Sequence, residues 1–318
     1  MYFQLLRCGD LRAKIPEFLL CYVAVSIVYL VACGCLSTTR EWSHVWLILG
    51  FGLLFRLILL FSPPSLSDDI YRYAWEGYLQ TQGVNPYRFP PEAAELTNLR
   101  NEIWGKVNNK DASAIYPPLL QALHAGIYWV FRSIWGYKLF FLAIEVLLVW
   151  ILFRLLRIRK RNMGNIIFYV WNPLVVVETA GSGHHEVCSS ALLLGSVLFC
   201  LTDQHRKSVF LLASSVLCKL YPVFGLPFFA KRIPSKHFVW FPLILAGGYL
   251  PYASAGSHLF SALQYYREKW RFNGFLFYRL SEYLSDEKAT ERLLFLLVVL
   301  LLAWCVATGQ DLLKQLFW

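Results

Sequence analysis

Apolar residues run along this chain in long blocks rather than at the spaced positions of a soluble helix face. Blocks at 18–36, 44–61, 119–135, 138–153, 165–180, 187–201, 208–229, 238–253 and 293–308 approach the ~20 residues that an α-helix needs to cross a ~30 Å hydrocarbon layer. A segment in hydrocarbon must satisfy its own backbone hydrogen bonds, and no alternating pattern of about ten residues points to a barrel, so the blocks predict helices. Two blocks are interrupted. Block 208–229 holds Lys219, Tyr221-Pro222 and Pro227, and block 165–180 holds Asn172-Pro173. Proline removes a backbone donor, and a lysine at membrane depth needs water or a partner. Both blocks are therefore expected to carry irregular backbone lining a cavity. For Lys219 the alternative is a side chain snorkelling to the nearer interface. Arg56 and Glu145 lie inside apolar blocks, where a structural ion pair between them is expected.

Composition agrees with this patterning. The 318 residues are 57% hydrophobic and 16% charged, with a mean hydropathy of +0.47. That balance excludes an ordinary soluble domain, a disordered chain, a secreted disulfide scaffold and a soluble nucleic-acid binder. In an all-α polytopic membrane protein the net charge of +10 reads first as topology, because Lys and Arg collect on the cytoplasmic side. Arg154, Arg157, Arg159, Lys160, Arg161, Arg206, Lys207, Lys231 and Arg232 then face inward. In loop 62–118, Asp68, Asp69, Glu76, Glu92, Glu95, Glu102 and Asp111 outnumber Arg72, Arg88, Arg100, Lys106 and Lys110, as suits the outer face. Loop 254–288, mixed and aromatic, can share that side. If every block crosses, these assignments conflict; a re-entrant 208–229 and one partial crossing nearer the N-terminus would reconcile them. The long loops hold no cysteine, so the cysteines read as small apolar residues rather than a disulfide framework.

Chemistry concentrates in Ser67-Asp68-Asp69-Ile70-Tyr71-Arg72-Tyr73-Ala74-Trp75-Glu76-Gly77. Ser67 is placed to cap a helix whose first turn holds both aspartates, where negative charge is favourable. At helical spacing Ile70, Tyr71, Ala74, Trp75 and Tyr78 form an apolar-aromatic stripe, with Asp69, Arg72, Tyr73, Glu76 and Gln80 toward the other side. This predicts an amphipathic interfacial helix that presents acids and an arginine above the bilayer. The plainer reading is capping acids on a membrane-surface helix. His184-His185-Glu186 invites a metal reading, but adjacent histidines on a helix project about 100° apart and make poor joint ligands. No metal is expected, and sugar or phosphate contact by one histidine, or a simple helix start, remain the alternatives.

Three runs in order, SDDIYRYAWEG, GVNPYRFPP and IYPPLLQ, carry a family resemblance. They resemble the first extracytoplasmic loop of GT-C superfamily glycosyltransferases. Among these the chain is most similar to bacterial polyprenyl-phosphate-mannose-dependent mannosyltransferases, and more distantly to the catalytic subunit of GPI mannosyltransferase I. The likeness continues through Trp171-Asn172-Pro173-Leu174, Glu178, Gly181-Ser182-Gly183-His184-His185, Lys219-Leu220-Tyr221-Pro222 and Trp270-Arg271-Phe272-Asn273. It implies one GT-C domain over 1–318, a bundle of about nine membrane segments with the amphipathic helix in its long extracytoplasmic loop. It also implies a multi-pass protein of the bacterial cytoplasmic membrane with its active site outside. The resemblance implies as partners a polyprenyl-phosphate sugar, with mannose the family's sugar, a glycan or glycolipid acceptor, and the bilayer. Neither a cofactor nor nucleic acid is implied. Asp69 or Asp68 would be the catalytic base, with Arg72, Tyr73, Glu76, Asn85, Tyr116, His184, His185, Lys219, Tyr221, Arg271 and Asn273 as substrate-binding candidates. Arg72, Lys219 and Arg271 are the cations available to a phosphate leaving group.

Two other classes stay open. A transporter or flippase for lipid-linked sugars would explain intramembrane Lys219, Arg56 and Glu145 without catalysis, although transporters place functional residues near the midplane. A non-catalytic partner subunit is the third. The family's chain normally continues with further spans and often a His-Pro-Trp-Tyr motif, whereas this one stops at Gln315-Leu316-Phe317-Trp318.

Overall fold

The computed structural model describes residues 1–269 and 274–307. Trp270, Arg271, Phe272 and Asn273, and residues 308–318, lie outside the described residues, so the predicted roles of Arg271 and Asn273 have no structural counterpart here. Among the described residues every regular element is helical. In chain order these are α1 Tyr2–Cys8, α2 Ile15–Leu36, α3 Trp42–Leu60, α4 Asp69–Thr81, α5 Glu102–Gly105, α6 Pro118–Phe131, α7 Ile134–Ile158, α8 Ile167–Val170 and α9 Pro173–Val176. Then come α10 Glu186–Leu201, α11 His205–Val216, α12 Leu226–Ala230, α13 Trp240–Tyr249, α14 Ser261–Lys269, α15 Phe275–Leu284 and α16 Glu287–Ala307. Four helices among the described residues are long and apolar enough to cross a membrane: Ile15–Leu36, Trp42–Leu60, Ile134–Ile158 and the composite Ser235–Lys269. Their outward faces carry exposed apolar side chains such as Leu20, Leu30, Trp46 and Val146, which only lipid would cover favourably. The protein is a membrane protein.

Hydrogen bonds show which end of the bundle each connection occupies. The start of the chain lies beside loop 62–118, since Arg12 pairs with Asp68 at 2.9 Å. Helix α2 leads to the opposite end, where Asn162 donates to the Thr38 carbonyl at 2.6 Å, and α3 returns. Helix α6 does not leave the loop end. Just beyond it, the Tyr137 hydroxyl donates to the carbonyls of Tyr73 and His124, and Lys138 donates to those of Leu59 and Ser62. The expected crossing at 119–135 is therefore a helix lying against α4. Gln121 and His124 explain it, because both are fully buried against α4 where a lipid-facing helix would strand them.

Helix α7 crosses away, and a broken passage through α8, α9 and a π-helical turn, Val177–Ser182, comes back. Asn172 caps α9 by accepting the Leu174 N–H, and Pro173 opens it, so the predicted break at Asn172-Pro173 is a helix restart. Helices α10 and α11 make the next pair of passages. At the top of α11 the Leu217 carbonyl accepts the Leu119 N–H at 3.0 Å. From Lys219 the chain turns away again through a 3₁₀ segment, Tyr221–Gly225, and α12, to bury Phe229 and Ile233 among Leu155 and Val209. Block 208–229 thus begins and ends at the same, basic end. Helix α13 returns to the loops, where Tyr252 donates to Gln80 at 2.7 Å and Asn85 donates to the Tyr252 carbonyl at 3.0 Å. Loop 62–118 meets residues 252–265 at one end, and the clustered Lys and Arg sit at the other.

Arg56 and Glu145 form the expected pair at 2.8 Å, buried to 3% and 1% exposure. Arg56 also donates to the carbonyls of Gly52 and Val170, so one guanidinium ties α3, α7 and the broken passage together.

Candidate active site

Helix α4 is the platform of the site. Asp68 precedes it, and the Ser67 hydroxyl accepts the Asp69 N–H at 3.2 Å, so the acids sit one at the N-cap position and one in the first turn. The helix is buried on nearly every side, which corrects the expectation of an exposed polar face. Loop 82–117 folds back over Arg72 and Glu76. Close approach of α6 needs Gly77, because a Cβ there would run into the His124 carbonyl and the Tyr137 hydroxyl. Gly183, at φ 75°, turns the broken passage beside α4, where a Cβ would meet Ile70.

Arg72 shows what holds the loop down. Its Nε donates to Glu76 at 2.9 Å, and its two amino nitrogens reach the carbonyls of Asn108, Asn109, Ala112 and Ser113. A guanidinium has five N–H donors, and here all have protein acceptors. Glu76 in turn accepts from Gln121 at 2.6 Å. Both Arg72 and Glu76 are thereby engaged within the protein, and Arg72 also lines the cavity beside the loop.

Beside this loop lies a cavity of about 300 Å³. Asp69, Tyr73, Asn108, Tyr116 and Lys219 line it, with Tyr265 and Tyr266 of α14 on the far wall. Asp69 Oδ1 accepts from Asn108 Nδ2 at 2.7 Å, and Oδ2 lies 3.9 Å from His184 Nε2. Lys219 pairs with Glu186 at 2.7 Å and lies over the Tyr116 ring, 4.7 Å from its centroid. Its 21% exposure and these two contacts describe a cavity lysine rather than a snorkelling one. Burial pushes the Tyr73 and Tyr116 phenols well above their ordinary value, so both remain neutral donors.

The histidine pair splits. His184 Nδ1 meets Glu178 at 3.0 Å and Glu186 at 4.0 Å. Burial disfavours its charged form, but the Glu178 hydrogen bond and the charges of Glu186 and Asp69 outweigh this and raise its pKa. His185 turns the other way, fully buried, 3.3 Å from His124 and against the Tyr73 ring. Among the described residues no cluster of three or more His, Cys, Asp or Glu is arranged to hold a metal ion. A raised folded-state pKa contributes stability that is fully present below the unfolded value near 6.5 and is lost as pH rises through the raised one. His184→Gln should therefore lower the melting temperature most at about pH 6, the gap to wild type closing at higher pH. A gap independent of pH would refute a charged His184.

Of the remaining candidates, Asp68 is held by Arg12 away from the cavity wall. Asn85 ties the two loops, bonding the Tyr252 carbonyl and Ser254. Tyr221 is exposed and does not line the cavity. Residues with no assigned role in the sequence reading are Asn108, Glu186, Tyr265 and Tyr266. Asn108 looks like any loop asparagine, and Glu186, weighed in the sequence only beside its two histidines, gains its closest partner from Lys219, which lies far along the chain.

The cavity, its acid and its lysine sit on a helical membrane scaffold at a loop-covered end, as in an enzyme working at the membrane surface. Residues 13–233 match the family described as alpha-(1->6)-mannopyranosyltransferase, N-terminal domain, and the chain belongs to that family. It is a mannosyltransferase. No curated protein and no solved structure matches the chain.

Proposed function

We propose that the protein moves mannose from polyprenyl-phosphate mannose to a glycan or glycolipid acceptor in one inverting displacement, on the outer face of a bacterial cytoplasmic membrane. The observation that carries this reading is the cavity with Asp69 and Lys219 in its wall. Asp69 is the base: it takes the proton of the acceptor hydroxyl as that oxygen bonds to the anomeric carbon. The bond from that carbon to the phosphate oxygen breaks, and polyprenyl phosphate leaves with the electron pair. A β-linked donor then gives an α-linked product, in keeping with the family's α-(1→6) description. Lys219 meets the phosphate, exchanging its contact with Glu186 for the stronger anion. Orientation follows from the Lys and Arg cluster at the end opposite the cavity, which faces the cytoplasm.

The transporter reading has less support. Its intramembrane charges, Arg56 and Glu145, neutralise each other, and the cavity lies at one end rather than at the midplane. Lys219→Met tests the phosphate contact: kcat/KM for polyprenyl-phosphate mannose should fall about ten- to a hundredfold, with folding and insertion preserved. Unchanged kinetics would remove Lys219 from the site.

A further inference from the structure

The first turn of α11 carries His205, Arg206 and Lys207 and no acid. Cations at a helix N-terminus oppose the helix dipole, and the one carboxylate of the preceding turn, exposed Asp203, stands against three basic side chains, Arg154, Arg206 and Lys207. Two grooves flank it. One, of about 540 Å³, runs between α7 and α10 from Leu119 near the loop end to Arg154 and Gln204 at the basic end, and its walls are almost entirely apolar. The other, of about 480 Å³, lies between α11 and α13, with apolar walls and with Arg206 and Lys207 at its rim. Phe199 and Leu211 line both grooves and form the ridge between them. The cationic rims are also joined: Lys207 Nζ donates to Gln204 Oε1 at 2.8 Å, linking a rim residue of the second groove to one of the first.

We propose that this ridge is seated by one anionic diacyl phospholipid of the leaflet at the basic end. One chain fills each groove, and the phosphate headgroup lies at the α10–α11 turn between Arg154 on one side and Arg206 and Lys207 on the other. Paired apolar slots match two acyl chains, and three cations at a shared mouth match a phosphodiester. A soluble anion would have no use for the slots, and a partner helix would not divide around the ridge. The site is distinct from the sugar cavity, lies at the other end of the bundle, and does not depend on the sugar-transfer reading.

The test is lipid retention by the purified full chain, followed by intact-complex mass spectrometry in detergent. Phosphatidylglycerol is compared with phosphatidylcholine of the same chains. One phosphatidylglycerol should be retained in preference to phosphatidylcholine. The double variant Arg206→Gln/Lys207→Gln should weaken its binding roughly 25-fold, at roughly fivefold per surface cation. Both positions are exposed, so the variant should fold. Leu192→Trp, which fills the first groove without touching the cations, should also displace the lipid. Equal retention of the two lipids, or a preference that survives the double variant, would overturn the proposal. So would a second copy of the chain seated on the ridge, seen as a dimer that excludes lipid.

Discussion

Asp69→Asn should lower turnover with polyprenyl-phosphate mannose by at least about 10²-fold, with little change in melting temperature. The substitution keeps the shape of the side chain and removes the basic oxygen. Asn108 donates to Oδ1, so the amide still has a partner if its oxygen turns toward Asn108. Its other oxygen, Oδ2, lies 3.9 Å from His184 Nε2, on the wall of the cavity. Asp68→Asn should cost much less in turnover, since Asp68 faces Arg12 at the surface and an exposed pair of this kind contributes at most about 1 kcal/mol. Comparison of both variants in reconstituted protein decides the assignment. Inactive Asp68→Asn beside near-normal Asp69→Asn would reverse it. Full activity in both would end the reading of this cavity as the catalytic one.

Arg72→Met should destabilise the protein by about 3–5 kcal/mol and open loop 82–117 to protease. The loss is large because two things fail together. Glu76, 2% exposed, loses its cation partner, and four loop carbonyls lose their donor. Arg72→Lys should not rescue it, since an ammonium offers three donors from one point where the fork supplies five. Adding Glu76→Gln to Arg72→Met should recover part of the stability by removing the stranded charge. A role in phosphate binding predicts the opposite pattern: Arg72→Met would fold normally and lose only donor affinity, and Lys would partly restore it. Thermal unfolding and limited proteolysis of the three variants separate the two.

The apolar blocks and the charge bias of the loops carry membrane character, helical class and the need for two exceptions to strict alternation. They point to block 208–229 as one exception and leave the other, nearer the N-terminus, open. Block 119–135 is as apolar as a span, and only its burial of Gln121 and His124 against α4 keeps it at the loop end. Lys219 and its prolines mark the turning point of block 208–229, yet the destination of the descending limb is visible only in the packing of Phe229 and Ile233. The face of α4 illustrates the same limit. Periodicity separates its polar side correctly, but a polar side can meet water or a folded-back loop equally well, and here it meets the loop.

Local residue order by itself determined that a helix starts in the Ser67-Asp68-Asp69 run, although one residue later than the Ser67 cap implies, that the chain breaks at Asn172-Pro173, that the composition is membrane-borne and that the charge types match for an Arg56–Glu145 pair. These depend on near neighbours, on hydropathy summed over a span, or on the penalty for leaving a charge alone in hydrocarbon. Tertiary structure alone decided that Arg72 is a loop clasp, that Lys219 answers Glu186, that Asn108 holds Asp69, and that the two histidines part company. Each of those outcomes depends on which distant acceptor comes within hydrogen-bond reach, a matter of a few ångströms set by the whole fold and carried by no local pattern.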